Sequence, residues 1–179
     1  GKCADIHSVF VTLARAAGIP AREVFGVRLP KGAEGDMTKA QHCWAEFYRP
    51  AYGWVVVDPA DVRKAILEKK MTLDEATPLR DCYFGAVDEG RIAFGTGRDL
   101  VLNPPQAGAP LNDFMCPYAE ADGEPLGEPC REPAPGVTQP FRARIRGVEA
   151  RQPFVPQRHD LIRQFARLEA LVLLEAERA

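Results

Sequence analysis

Two short runs of strand-forming residues joined by a tight turn constrain this chain more than any other feature. Residues 41–48, Q-H-C-W-A-E-F-Y, and 53–58, G-W-V-V-V-D, flank the turn residues P-A-Y-G at 50–53. Aromatic and β-branched runs bounded by Pro and Gly predict strands. So short a connection predicts an antiparallel hairpin, in which the start of one strand lies beside the end of its partner. His42 begins the first strand and Asp58 ends the second, so the topology brings together two residues 16 apart in sequence. The two-residue period puts His42, Trp44, Glu46 and Tyr48 on one face and Cys43, Ala45 and Phe47 on the other.

A thiol completes this pair. Ile6, Val9, Phe10, Leu13, Ala14 and Ala17 form one apolar stripe at helical spacing, and Gly18 with Pro20 beyond is a stop signal. Cys3 therefore falls at or just before a helix N-terminus. Unsatisfied N–H groups and the positive end of the helix dipole stabilise a thiolate there. Thiol, imidazole and carboxylate, in the order Cys3, His42, Asp58, are the parts of a cysteine nucleophile. The thiol attacks a carbonyl carbon, the imidazole takes and returns a proton, and the carboxylate orients the imidazole.

The rest of the chain gives a coarser pattern. Residues 22–29 read as a strand, with Phe25, Val27 and Leu29 alternating against Gly26 and Arg28, and 30–39 as a polar loop. Residues 61–70 read as a short helix, 83–94 as a second hairpin turning at Asp88-Glu89-Gly90, and 99–102 as a further strand. Eight of the 16 prolines lie between Pro117 and Pro156, which marks a loop-rich extension. Leu161, Phe165, Leu168 and Val172 give the tail an amphipathic helical pattern. The expected organisation is a core over 1–115, a Pro-rich extension over 116–159 and a C-terminal amphipathic helix over 160–179. No internal repeat is visible. The fold class is α+β.

Composition excludes some partners. A net charge of −2 in 179 residues gives no sign of a nucleic-acid or anionic-membrane partner, and no apolar run approaches the roughly 18 residues of a membrane span. Five cysteines fit one catalytic thiol plus up to two disulfides, or five thiols. Cys116 and Cys130 enclose a loop short enough to close as a disulfide, though nothing forces it.

G-K-C-A-D at the start, R-A-A-G-I-P-A-R at 15–22, H-C-W-A-E-F-Y and G-W-V-V-V-D-P together resemble the bacterial transglutaminase-like superfamily. The resemblance covers residues 1–61 most fully. G-R-D-L-V-L-N-P-P-Q and P-Y-A-E-A-D-G, within 83–123, are similar to the continuation in some bacterial members. It implies a papain-like fold, with a Cys-bearing helix packed on an antiparallel sheet that carries His and Asp. It also implies Cys3 as nucleophile, His42 as general acid and base, Asp58 as orienter, a thioester intermediate on a protein or peptide amide, no cofactor and no metal. A bacterial, exported or periplasmic setting accords with it. Family domains usually carry helices ahead of the Cys block, often with an oxyanion-hole side chain. The chain departs from the family at that point, so the resemblance implies a domain truncated at its N-terminus, with the Cys3 N–H as its remaining oxyanion donor.

An ordinary reading stands beside each functional one. Cys3 can be an inert core thiol, His42 a hydrogen-bonded strand histidine, and Asp58 a turn former before Pro59, with Asp61 the next candidate for the acid. Cys43 reads as core, and His159 as a solvated surface residue. Trp44 shares a face with His42, and either shields the dyad and contacts substrate or merely packs. Two other functions remain. One is a structural zinc site using Cys3, His7 and His42, against which stands the absence of a C-x2-C knuckle. The other is a non-catalytic, protein-binding module, which would need none of the three residues.

Overall fold

A computed structural model describes residues 2–30, 34–37, 39–116, 118–126 and 142–144. In chain order the elements are α1 (Cys3–Ala16), β1 (Ala21–Arg28), β2 (Glu34–Asp36), β3 (Gln41–Arg49), β4 (Gly53–Val57), α2 (Pro59–Lys69), α3 (Thr77–Tyr83), β5 (Arg91–Gly95), β6 (Glu120–Ala121), β7 (Glu124–Pro125) and β8 (Arg142–Arg144). Four strands form an antiparallel sheet in the order β4-β3-β1-β5, and β2–β8 and β6–β7 form two-stranded pairs. The fold is α+β, as the sequence pattern predicts. Among the described residues no helix is long and apolar enough to cross a membrane.

The chain groups into two compact units. Among the described residues, one is built from those of Gly1–Glu23 and Trp44–Glu89, the other from those of Val24–Cys43 and Gly90–Ala150, and β1 and β3 each run through both. In the first, Ile6, Phe10, Val11 and Ala14 of α1 pack with Ala45 and Phe47 of β3, Val57 of β4, Ala60 of α2 and Phe84. The Phe47 ring sits 6.3 Å from that of Phe10 and 5.5 Å from that of Phe84, spacings at which tilted rings attract. In the second unit β5 pairs with β1, and the register slips between Phe25 and Gly26. A Cβ at Gly26 would lie 1.9 Å from the Ile92 carbonyl oxygen, so only glycine permits this approach.

The ends of α1 follow local chemistry. The Asp5 carboxylate accepts the Lys2 N–H at 2.6 Å and caps the first turn. Gly18, at φ +77, turns the chain out of the helix, while its N–H donates to Arg15 O and the Ile19 N–H to Ala14 O.

Several expectations need correction. The buried face of α1 carries Ile6, His7, Phe10, Val11 and Ala14, while Val9 is 40% exposed and Ala17 is exposed. The helix is rotated from the purely apolar stripe because His7, a polar residue, is buried. β1 does not alternate, since Val24, Phe25, Gly26 and Val27 are all buried, as befits a strand interior to the sheet. Residues 83–94 do not form a hairpin. Pro78 helps start α3, which takes in Tyr83, Phe84 makes a single bridge to Val57, and β5 pairs with β1. The strand expected over 99–102 is reduced to one bridge, Leu100 to Leu111. α2 begins at Pro59 rather than residue 61, because Pro is well suited to the first helical position. The expected C-terminal helix, His159, Cys130 and, apart from residues 142–144, the Pro-rich stretch from 127 on lie outside the described residues.

Candidate active site

Cys3 is the first residue of α1, where the sequence places it. The first N–H groups of a helix have no partner within it, so the thiol and its own N–H sit at the positive end of the dipole. The side chain is partly buried and packs against the core of the first unit.

Asp58 ends β4 and is the N-cap of α2. Its Oδ1 accepts the Asp61 N–H at 3.0 Å, and its own N–H donates to Tyr83 O at 3.1 Å. The residue is fully buried. The turn-forming reading of Asp58 is thus correct as far as it goes, but a cap does not require burial. The same Oδ1 lies 3.2 Å from Nε2 of His7, which is also fully buried. His7 stands one helical turn after Cys3 on the buried face of α1. Sequence reasoning treats it only as a zinc-ligand candidate. The usable signal was a polar residue four positions from Cys3 on the face that turns inward. Nε2 of His7 is thus engaged by Asp58.

His42 is the second residue of β3 and is 3% exposed. Its Nε2 lies 3.0 Å from Nη2 of Arg28. A guanidinium only donates, so in this contact Nε2 accepts, and the ring is neutral with its proton on Nδ1. Arg28, expected merely to alternate along its strand, is therefore a neighbour the sequence did not reveal. Cys43 is fully buried, as its place on the opposite strand face implies. Trp44 is 6% exposed. Along the face shared by His42, Trp44, Glu46 and Tyr48, burial fades from the His42 end to Tyr48, which is exposed.

β3 and β4 pair antiparallel with Ala45 opposite Val57 and Arg49 opposite Gly53. This register runs from the turn after Arg49 to Ala45 and Val57, one residue before Asp58. The hairpin topology is the one expected from sequence.

Residues 1–59 match the family model of the transglutaminase-like superfamily, and this segment contains Cys3, His42 and Asp58. This segment is of the transglutaminase-like superfamily. An uncharacterized protein of Haemophilus influenzae is 48% identical to it in a match covering 70% of this chain and 39% of that relative. The chain thus spans about two fifths of the length of the relative it matches. No solved structure matches it.

Proposed function

We propose that this transglutaminase-like chain carries a cysteine enzyme that attacks an amide or peptide carbonyl and passes the acyl group to water or to an amine. Cys3 is the nucleophile, His42 the general acid and base, and Asp58 the residue that orients His42. The observation that carries the proposal is the placement of Cys3 as the first residue of a helix whose next turn, through His7, holds the Asp58 carboxylate.

His42 takes the Cys3 proton, and the helix terminus favours the resulting thiolate. The sulfur adds to the carbonyl carbon, and the oxygen gathers negative charge that the Cys3 N–H stabilises. As the tetrahedral species collapses, the C–N bond breaks. The departing amine takes the proton from His42, leaving a thioester. His42 then draws a proton from water or an acceptor amine, whose attack expels the Cys3 thiolate, and the proton returns to the site. The contact with Arg28 is made by a neutral ring, so the cationic ring needs a carboxylate beside it, which is the role given to Asp58. Trp44, on the His42 face of β3, shields the ring from water. The chemistry calls for no metal and no organic cofactor.

The test is to trap the thioester. A peptide p-nitroanilide library is mixed with the protein and quenched in acid, and intact-mass analysis reads any acyl adduct. An adduct on Cys3 that disappears in Cys3→Ala and is released faster by a fluorescent primary amine supports acyl transfer. Release insensitive to amine assigns hydrolysis. p-Nitroaniline release that persists in Cys3→Ala contradicts the proposal.

A further inference from the structure

The geometry points to His7 as a positioning residue that clamps the Asp58 carboxylate, an inference that rests on the reading of Cys3, His42 and Asp58 as a triad. His7 and Asp58 are both fully buried and meet through Nε2 and Oδ1 at 3.2 Å. A buried carboxylate is costly unless donors satisfy it, and here Oδ1 takes two, His7 Nε2–H and the Asp61 N–H at 3.0 Å. The Asp58 main chain is tied as well, through its N–H to Tyr83 O. With the backbone and Oδ1 both fixed, the direction of the second carboxylate oxygen is set rather than free to rotate.

The clamp also links two parts of the chemistry. His7 follows Cys3 by four residues, so nucleophile and clamp ride one turn apart on the same rigid helix. A displacement of α1 that moves the thiol moves the donor holding Asp58. The acid therefore keeps its register with the nucleophile through a His7–Asp58 contact that spans 51 residues of sequence. A purely structural ion pair would need no such shared helix.

The experiment is ring NMR on the whole chain labelled with 15N-histidine, which carries His7, His42 and His159. In the wild type His7 Nε2 carries a proton, and its signal moves in Asp58→Asn. His7→Leu shifts the His42 ring signals in the same direction as Asp58→Asn. The double variant shifts them no further, because both changes act through one carboxylate. His7→Gln, which keeps an N–H donor, restores the wild-type His42 signals. If His7→Leu does not fold, the wild type and His7→Gln still decide the matter. An unprotonated His7 Nε2, or His42 signals in His7→Gln displaced as far as in Asp58→Asn, overturns the clamp. If Asp58→Asn moves the His42 ring and a folded His7→Leu does not, the clamp is wrong and the triad stands. If Asp58→Asn leaves the His42 ring unmoved, the triad reading is wrong and the clamp falls with it.

Discussion

The Asp58 carboxylate holds both His7 and the Asp61 N–H, and substitutions separate these contacts. Asparagine keeps an oxygen for the Asp61 N–H but loses the charge, whereas alanine loses both. Asp58→Asn is expected to keep the fold and the covalent labelling of Cys3 while lowering amide turnover on the order of 10²-fold, within the usual range for general acid–base help. The loss is smaller than the roughly 10⁴-fold of the serine-protease case, because a thiol is more acidic and more nucleophilic than a hydroxyl. Asp58→Ala adds the loss of an N-cap, about 1 kcal/mol, and leaves buried His7 without this partner, a change of about 3–5 kcal/mol in comparable buried pairs. Denaturant melts beside steady-state kinetics check both variants. Equal destabilisation by Asn and Ala would make the charge, not the cap, the structural element. At this scale the sequence made Cys3, His42 and Asp58 legible because each sits in a local wrapper that fixes its element. His7 and Arg28 were not legible as partners. His7 meets a residue 51 positions away and Arg28 one 14 positions away, and no local pattern records either contact.

Elements were legible where their partners are close in sequence and illegible where they are not. The hairpin of β3 and β4 was readable because its turn is short and its pairing local. β5 was expected to pair with the segment before it, yet it pairs with β1, more than sixty residues back. Period-two alternation signals a strand buried on one face, so it misled for β1, which is buried along both. The close approach of Gly26 to Ile92 is the price of that pairing, and it is testable. Gly26→Ala places a methyl group where the Ile92 carbonyl stands, and is expected to destabilise by about 1–3 kcal/mol or more, with loss of hydrogen-exchange protection in β5. Unchanged protection in β5 would mean that the register adjusts freely.

A second element-scale prediction concerns Glu120, at the start of β6. The Tyr118 hydroxyl, which donates to it at 2.5 Å, and then the Ala107 N–H at 2.7 Å hold its carboxyl below the ordinary value. The same bond to Glu120 holds the Tyr118 phenol above its ordinary value. A carboxyl lowered in the folded state contributes order that is present above its unfolded value and lost as pH falls through its folded one. Acidification should therefore release the Ala107 amide, seen as an NMR shift that Glu120→Gln abolishes. An Ala107 amide insensitive to acid contradicts this.

For the whole molecule, the family match and the proposed chemistry fall on the same segment. Residues 1–59 run from the helix bearing Cys3 through the hairpin to Asp58, so one contiguous segment contains every member of the proposed triad. The match says nothing of whether the thiol is activated, and accessibility alone points elsewhere. Cys82 is exposed, whereas Cys3 is partly buried and Cys43 fully buried. An unactivated set of thiols would react in order of exposure, with Cys82 ahead of Cys3. Competitive alkylation by iodoacetamide at neutral pH, read residue by residue by mass spectrometry, separates activation from exposure. Cys3 should be labelled fastest in spite of its burial, and His42→Ala should slow it while leaving Cys82 unchanged. Labelling of Cys82 as fast as or faster than Cys3, or a Cys3 rate indifferent to His42→Ala, would contradict an activated nucleophile.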